Sequence, residues 1–284
     1  MQVGWWNVQT LTEGTWLLDG GSMFGIVPQK LWSGAHPTDE QNRITMALRC
    51  LLIRGAGKTI LVDCGIGDRL NEKQQKIYQH RRVPGGIPGR LKKLGIRPDE
   101  VTDIIASHLH FDHAGGLLTP AANGRLEPTF KNATVHVQEE CWAWAAGPTV
   151  WDGGSFFPGD LPIWERDLKL NFLHGDCEIA ERIQVKVTSG HTPGQQIVVV
   201  GEGASAVAFC ADLIPTASHI RLPFIMSFDH LPLVTLEEKK VLLAEALEED
   251  WTLVFDHDPY TPACKLKEEK GRVVAGDAVC LNSL

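Results

Sequence analysis

The segment Ser107-His108-Leu109-His110-Phe111-Asp112-His113-Ala114-Gly115-Gly116 places four candidate metal ligands, His108, His110, Asp112 and His113, within six positions. Imidazole nitrogen and carboxylate oxygen together suit zinc and neighbouring divalent transition metals. A lone His-x-His pair says little, because an isolated histidine more often serves as a hydrogen-bonded structural residue. The density of donors here is what argues for metal. Three further candidates are His191 in Thr188-Ser189-Gly190-His191-Thr192-Pro193-Gly194, Asp212 after Phe209-Cys210-Ala211, and His257 in Phe255-Asp256-His257-Asp258-Pro259. Taken singly, each is equally well explained as a hydrogen-bonded histidine or a turn-capping aspartate. A metal held by such donors polarises a carbonyl or phosphoryl oxygen and activates water.

Each cluster follows a stretch that reads as a strand, where an open sheet presents its functional loops. Val101 to Ala106 precedes the dense cluster, Arg182 to Thr188 precedes His191, Ala204 to Cys210 precedes Asp212, and Trp251 to Phe255 precedes His257. Apolar and β-branched runs predict further strands at Gly14 to Leu18, Ile44 to Ile53, Thr59 to Val62, Ala133 to Val137, Gln195 to Val200 and Arg272 to Cys280. Helices are expected at Glu72 to His80, Arg90 to Leu94 and Gln138 to Ala146. A longer helix over Leu236 to Glu249 takes Thr235 as N-cap and Glu238 as the second half of a capping box. Met23 to Arg43 and Gly147 to Leu161 read as loops. Residues 141–164 are rich in aromatics (Trp142, Trp144, Trp151, Phe156, Phe157, Trp164), which either pack beneath a long loop or wall the site.

The whole chain is expected to fold, since 43% of its 284 residues are hydrophobic and 22% charged. A formal charge of −8 disfavours a nucleic-acid partner and favours a small or neutral substrate. No run approaches the roughly 18 uninterrupted apolar residues of a membrane span. The amino terminus lacks the basic start and apolar core of a secretory signal, and the seven cysteines include no CxxC pair. A cytoplasmic location is the default expectation.

The His-x-His-x-Asp-His signature, followed by separate His, Asp and His residues, resembles the metallo-β-lactamase superfamily over nearly the whole chain. The run Leu18-Asp19-Gly20-Gly21-Ser22-Met23-Phe24-Gly25-Ile26-Val27-Pro28, with Leu51 to Gly67, resembles the branch of quorum-lactone lactonases and methyl-parathion-type hydrolases. The resemblance implies an αββα sandwich of two mixed sheets, built as a single catalytic domain over residues 1–284 from two pseudo-equivalent halves. It further implies two divalent metals, zinc first, with manganese, cobalt and iron compatible. One metal would take His108, His110 and His191, the other Asp112, His113 and His257, and Asp212 would bridge them. Asp112 and Asp212 are the candidate catalytic carboxylates, and Asp63 would orient a metal-binding histidine. Met23, Phe24, Trp32, Thr216 and His219 are the candidate pocket residues, and a homodimer is implied.

The expected reaction is hydrolysis of a small lactone, ester or phosphotriester, with lactone and aryl ester favoured. One departure bears on this. Lactonases of the branch commonly carry a tyrosine shortly after the bridging aspartate, whereas Asp212 is followed by Leu213-Ile214-Pro215-Thr216, and the only tyrosines are Tyr78 and Tyr260. Thr216, His219 or a water is left to supply that hydrogen bond. A one-iron sulfur dioxygenase and a noncatalytic metal-binding protein are the competing readings.

Overall fold

The computed structural model describes residues 1–281. The first half supplies β1 (Gln2–Val3), β2 (Trp6–Asp19), β3 (Arg43–Gly55), β4 (Lys58–Val62), β5 (Arg81–Arg82), β6 (Asp103–Ile105), a small hairpin of β7 (Leu118–Pro120) and β8 (Leu126–Pro128), then β9 (Thr134–Gln138) and β10 (Lys169–Leu173). The second half supplies β11 (Cys177–Ala180), β12 (Ile183–Thr188), β13 (Gln195–Val200), β14 (Val207–Phe209), β15 (Thr252–Val254), β16 (Ala263–Glu269) and β17 (Arg272–Ala278). The helices are α1 (Gly20–Phe24), α2 (Glu72–Tyr78), α3 (Gly86–Lys93), α4 (Phe111–Ala114), α5 (Glu139–Ala146), α6 (Asp160–Asp167) and α7 (Pro232–Glu248).

One sheet runs β1-β2-β3-β4-β6-β9-β10, with β5 added to β2, and the other runs in chain order from β11 to β17. Both are mixed, because β4, β6, β9 and β10 pair in parallel, as do β14 and β15, while the remaining neighbours are antiparallel. Strand periodicity sets the layers. In β3, Leu51 and Ile53 point inward to meet Val198, Val200 and Phe209 of the other sheet, whereas Cys50 and Leu52 point outward beneath the helical layer that includes α3 and α5. In β13, Val198 and Val200 face the first sheet, while Ile197 and Val199 face Leu242, Leu243 and Ala246 of α7. The result is the expected αββα sandwich.

Several boundaries differ from the sequence reading for local reasons. Gly14 lies inside β2 rather than at its start, beside a bulge where a Cβ would meet the Arg81 carbonyl oxygen at 2.2 Å. The strand read from Gly14 therefore extends back to Trp6. Helix α3 begins at Gly86, since left-handed Gly85 opens it and Gly89 is absorbed within it. Helix α7 begins three residues before Thr235, with Pro232 in its first turn, so Thr235 and Glu238 do not form a capping box. Glu238 instead accepts from the backbone N–H groups of Ser189 and Gly190 at 2.7 and 3.1 Å. Strands β10, β11 and β16 lie outside the sequence-derived strands, because their polar and apolar residues give no clear alternation: β10 is mostly exposed, β11 mostly half-buried and β16 buried at one end and exposed at the other. None of the described helices is long and apolar enough to cross a membrane.

Candidate metal centre

The loops after β6, β12, β14 and β15 converge at one edge of the sandwich. His110 caps the short helix α4, which turns Asp112 and His113 back towards His108. Gly116 makes that turn possible, because a Cβ there would lie 2.2 Å from the Cys64 carbonyl oxygen. Gly190 does the same for the His191 loop, where a Cβ would strike the Thr235 backbone nitrogen at 2.3 Å. The His257 loop is clamped to β3. The Arg49 guanidinium donates to the carbonyls of Phe255 and Asp258, and Ala47 N donates to His257 O at 2.9 Å.

Asp212 lies at the meeting point. Its Oδ2 is 3.1 Å from His191 Nε2, 3.6 Å from His113 Nε2 and 3.7 Å from His108 Nε2, and its Oδ1 is 3.1 Å from His257 Nε2. Asp112 Oδ2 stands 3.4 Å from the Nε2 atoms of both His113 and His257. His110 Nδ1 is 3.2 Å from His191 Nε2. Two groups of donors each come close enough to share an ion: His108, His110, His191 and Asp212, and then His113, Asp212, Asp256 and His257. Asp256 was not among the sequence candidates. Its Oδ2 approaches His113 on the Nδ1 side, at 3.9 Å, while its Oδ1 accepts from the neighbouring His257 N.

The far side of four of the five rings is held by the protein, which fixes the tautomer. His113 Nδ1 donates to Asp63 Oδ2 at 2.9 Å, and Asp63 also accepts from Ser107 N and Ser107 Oγ. The Ser107 hydroxyl lies 3.1 Å from His108 Nδ1, so one serine serves two imidazoles. His191 Nδ1 donates to Asp229 Oδ1 and His257 Nδ1 to the Ala47 carbonyl, each at 2.8 Å. Asp229 was not among the sequence candidates. Its hold on His191 spans 38 positions and left no local signal.

The inward atoms are unspent. His108 Nε2, His113 Nε2 and Asp212 Oδ1 are buried and form no hydrogen bond with any described residue, which is costly unless something occupies the space between them. Burial presses His108 and His110 towards the neutral ring, His110 down to about 3. Burial also opposes charge on His113, His191 and His257, but the neighbouring carboxylates outweigh it and raise all three, His191 to about 10. Burial likewise works against the charged form of Asp212, yet His191, His113 and His257 together hold it well below the usual carboxylate range. A carboxylate set kept ionised among imidazoles whose tautomers are fixed is a donor set that fits divalent metal.

A cavity of about 430 Å³ opens above these residues. Its floor includes His110, Asp112, His191, Asp212 and His257, and Trp16, Leu18, Met23, Tyr78, Trp151 and Phe228 are among its walls. Of the candidate pocket residues, Met23 lines the cavity and the others lie behind it. Phe24 stacks between Trp32 and His219, with ring centroids 4.8 Å apart on each side, and all three are buried. Thr216 Oγ1 lies 2.7 Å from His219 Nδ1, and His219 Nε2 donates to the Met23 carbonyl at 2.8 Å. These four thus support Met23 from the rear. The aromatic segment divides: Phe156 and Trp164 are buried, whereas Trp151 is 69% exposed at the cavity rim.

The layered fold and the histidine- and aspartate-lined site at its edge define a metal-dependent hydrolase. The chain belongs to the metallo-beta-lactamase superfamily, whose family model matches residues 49–257. It is 25% identical over 243 residues to an N-acyl homoserine lactonase of Bacillus cereus, covering 81% of this chain and 86% of that protein. Among solved structures, a probable metal-dependent hydrolase from Staphylococcus aureus is 25% identical, with a TM-score of 0.86, over 98% of this chain and 100% of that one. A dizinc quorum-quenching lactonase bound to its N-hexanoyl-L-homoserine product shares the fold at 19% identity, with a TM-score of 0.78, over 99% of this chain and 97% of that one.

Proposed function

We propose that this protein is a dinuclear metal-dependent lactonase with esterase capacity, acting on small neutral acyl substrates. The observation that carries this reading is the pair of donor groups sharing Asp212 at the floor of a largely apolar cavity. The names of the Bacillus cereus relative and the dizinc structure point to the same chemistry. His108, His110 and His191 would hold one ion, Asp112, His113 and His257 the other, and Asp212 both. Asp112 is preferred to Asp256 because its Oδ2 stands 3.4 Å from the Nε2 atoms of both His113 and His257, whereas Asp256 Oδ2 lies 3.8 Å from His257 Nε2 and reaches His113 only on the Nδ1 side that Asp63 already occupies. Zinc suits these donors best, with manganese, cobalt and iron compatible.

Metal bound here supplies Lewis acidity and a nucleophilic water at neutral pH. The protein supplies the remainder. Trp16, Met23, Trp151 and Phe228 shed water from around an acyl group and press it towards the floor. Asp63, Asp229 and the Ala47 carbonyl keep the imidazoles aimed, so little reorganisation accompanies reaction. Asp112, at the cavity floor, takes up the proton released on attack and returns it to the departing oxygen through a carboxylate oxygen.

The test is hydrolysis of acyl-homoserine and simple lactones, aryl esters, β-lactams and methyl phosphotriesters by metal-free protein reconstituted separately with zinc, manganese, cobalt and iron. Lactone or ester turnover restored at two metals per chain, and abolished by Asp212→Asn, supports the reading. One iron per chain with oxygen consumption on a persulfide overturns it.

A further inference from the structure

The wall of the cavity contains a phenol whose hydrogen-bonding capacity is unspent. Tyr78 ends α2, and its ring packs against both Trp16 and Phe111, with centroids 5.3 and 5.5 Å away and those two rings 5.9 Å from each other. The backbone around it is pinned as well. Arg43, itself paired with Asp39, donates to the Ile77 carbonyl at 3.1 Å, and Gln75 Nε2 donates to the His80 carbonyl at 2.8 Å. A complete capping box of Asn71 and Gln74 fixes the other end of the helix. The Tyr78 hydroxyl bonds to no described residue, and Tyr78 lines the same cavity as Asp112, Asp212 and His257. The guanidinium of Arg43, the other strong donor along this wall, is already spent on Asp39 and Ile77.

We infer that Tyr78 is a catalytic residue that donates a hydrogen bond from its hydroxyl to an oxygen of the scissile carboxyl group of a lactone or ester. The inference rests on the hydrolase reading and deepens it. Hydrolysis places growing negative charge on that group, and a fixed donor on a rigid wall stabilises it without reorganisation. An apolar cavity strengthens such a bond, because little water competes for the donor. No proton need leave the phenol: the bond forms as charge develops and is released with the product.

The experiment compares wild type with Tyr78→Phe, which keeps the ring against Trp16 and Phe111 and removes only the hydroxyl. Four quantities are measured on zinc-loaded protein: kcat/KM for a lactone and an aryl ester, affinity for the ring-opened hydroxy acid by calorimetry, metal content, and Tm. The expected result is a loss of about 10- to 100-fold in kcat/KM and a weaker product affinity, with metal content and Tm unchanged. Turnover and product affinity that survive loss of the hydroxyl overturn the inference, as does a loss that follows lost metal or a lowered Tm. Failure of the hydrolase reading looks different, since wild type with two metals bound would then turn over neither substrate.

Discussion

His191 donates from Nδ1 to Asp229 Oδ1 across 2.8 Å, and this turns Nε2 of the same ring onto Asp212 Oδ2, 3.1 Å away. Asp229 is buried and lies outside both donor groups, so its effect on the site passes through the imidazole. Asp229→Ala is expected to weaken metal binding by roughly 10- to 100-fold while leaving the fold intact. Chelator competition measures this directly, and an unchanged affinity would show that the loop backbone alone aims the ring.

The raised His191 imidazole makes metal uptake a proton exchange. Burial opposes its charge, but Asp212 and Asp229 prevail and lift it from the ordinary 6.5 to about 10. In metal-free protein this pairing therefore contributes stability in full below 6.5, and that contribution is lost as the pH rises through about 10. Zinc must displace the same proton, so its affinity moves in the opposite direction. Between about pH 7 and 10 the metal-free Tm is expected to fall while zinc affinity rises, with protons released in calorimetry. A flat affinity across that window would contradict this protonation state.

Trp151 stands at the rim of the cavity on a loop that Asp152 ties down. Asp152 accepts from Trp144 Nε1 at 2.7 Å and Thr149 Oγ1 at 2.8 Å, and its Oδ2 lies 3.0 Å from His230 Nε2. Trp151→Ala is expected to raise KM for a long-chain acyl lactone by roughly tenfold, about 1.4 kcal/mol, with kcat little changed. A short-chain lactone should be spared. Equal losses on both would place Trp151 in the chemistry rather than on the acyl wall.

Arg69 and Asp160 join the segment after β4 to the start of α6. The guanidinium lies 4.3 Å from the Phe157 ring centroid and pairs twice with the carboxylate, and the side chains are only 7% and 2% exposed. Asp160→Ala strands a buried cation and is expected to cost about 3 kcal/mol in denaturant unfolding. A cost below about 1 kcal/mol would mean that water reaches the guanidinium.

The donors themselves were legible in the sequence because they obey local rules. His108, His110, Asp112 and His113 crowd one strand-end turn, and His191, Asp212 and His257 each follow an apolar run that had to be a strand. The continuous apolar runs of β3 and β13 likewise marked them as buried strands. What surrounds these residues was decided by tertiary contacts that leave no local trace. Asp229 reaches His191 across 38 positions, and Arg49 clamps Phe255 across 206. Thr216, His219, Phe24 and Trp32, which sequence order placed beside the substrate, are buried behind Met23, because a loop's neighbours in space depend on how the two halves dock. Tyr78 shows the converse, since nothing in its short polar helix points to a metal site until α2 is laid against Trp16 and Phe111. The sequence by itself therefore picked out the histidines and aspartates that crowd the candidate metal centre, a matter of residue type and spacing. Only the packed sandwich decided which way each ring turns and what walls the cavity, because hydrogen bonds and apolar contacts between distant segments set both.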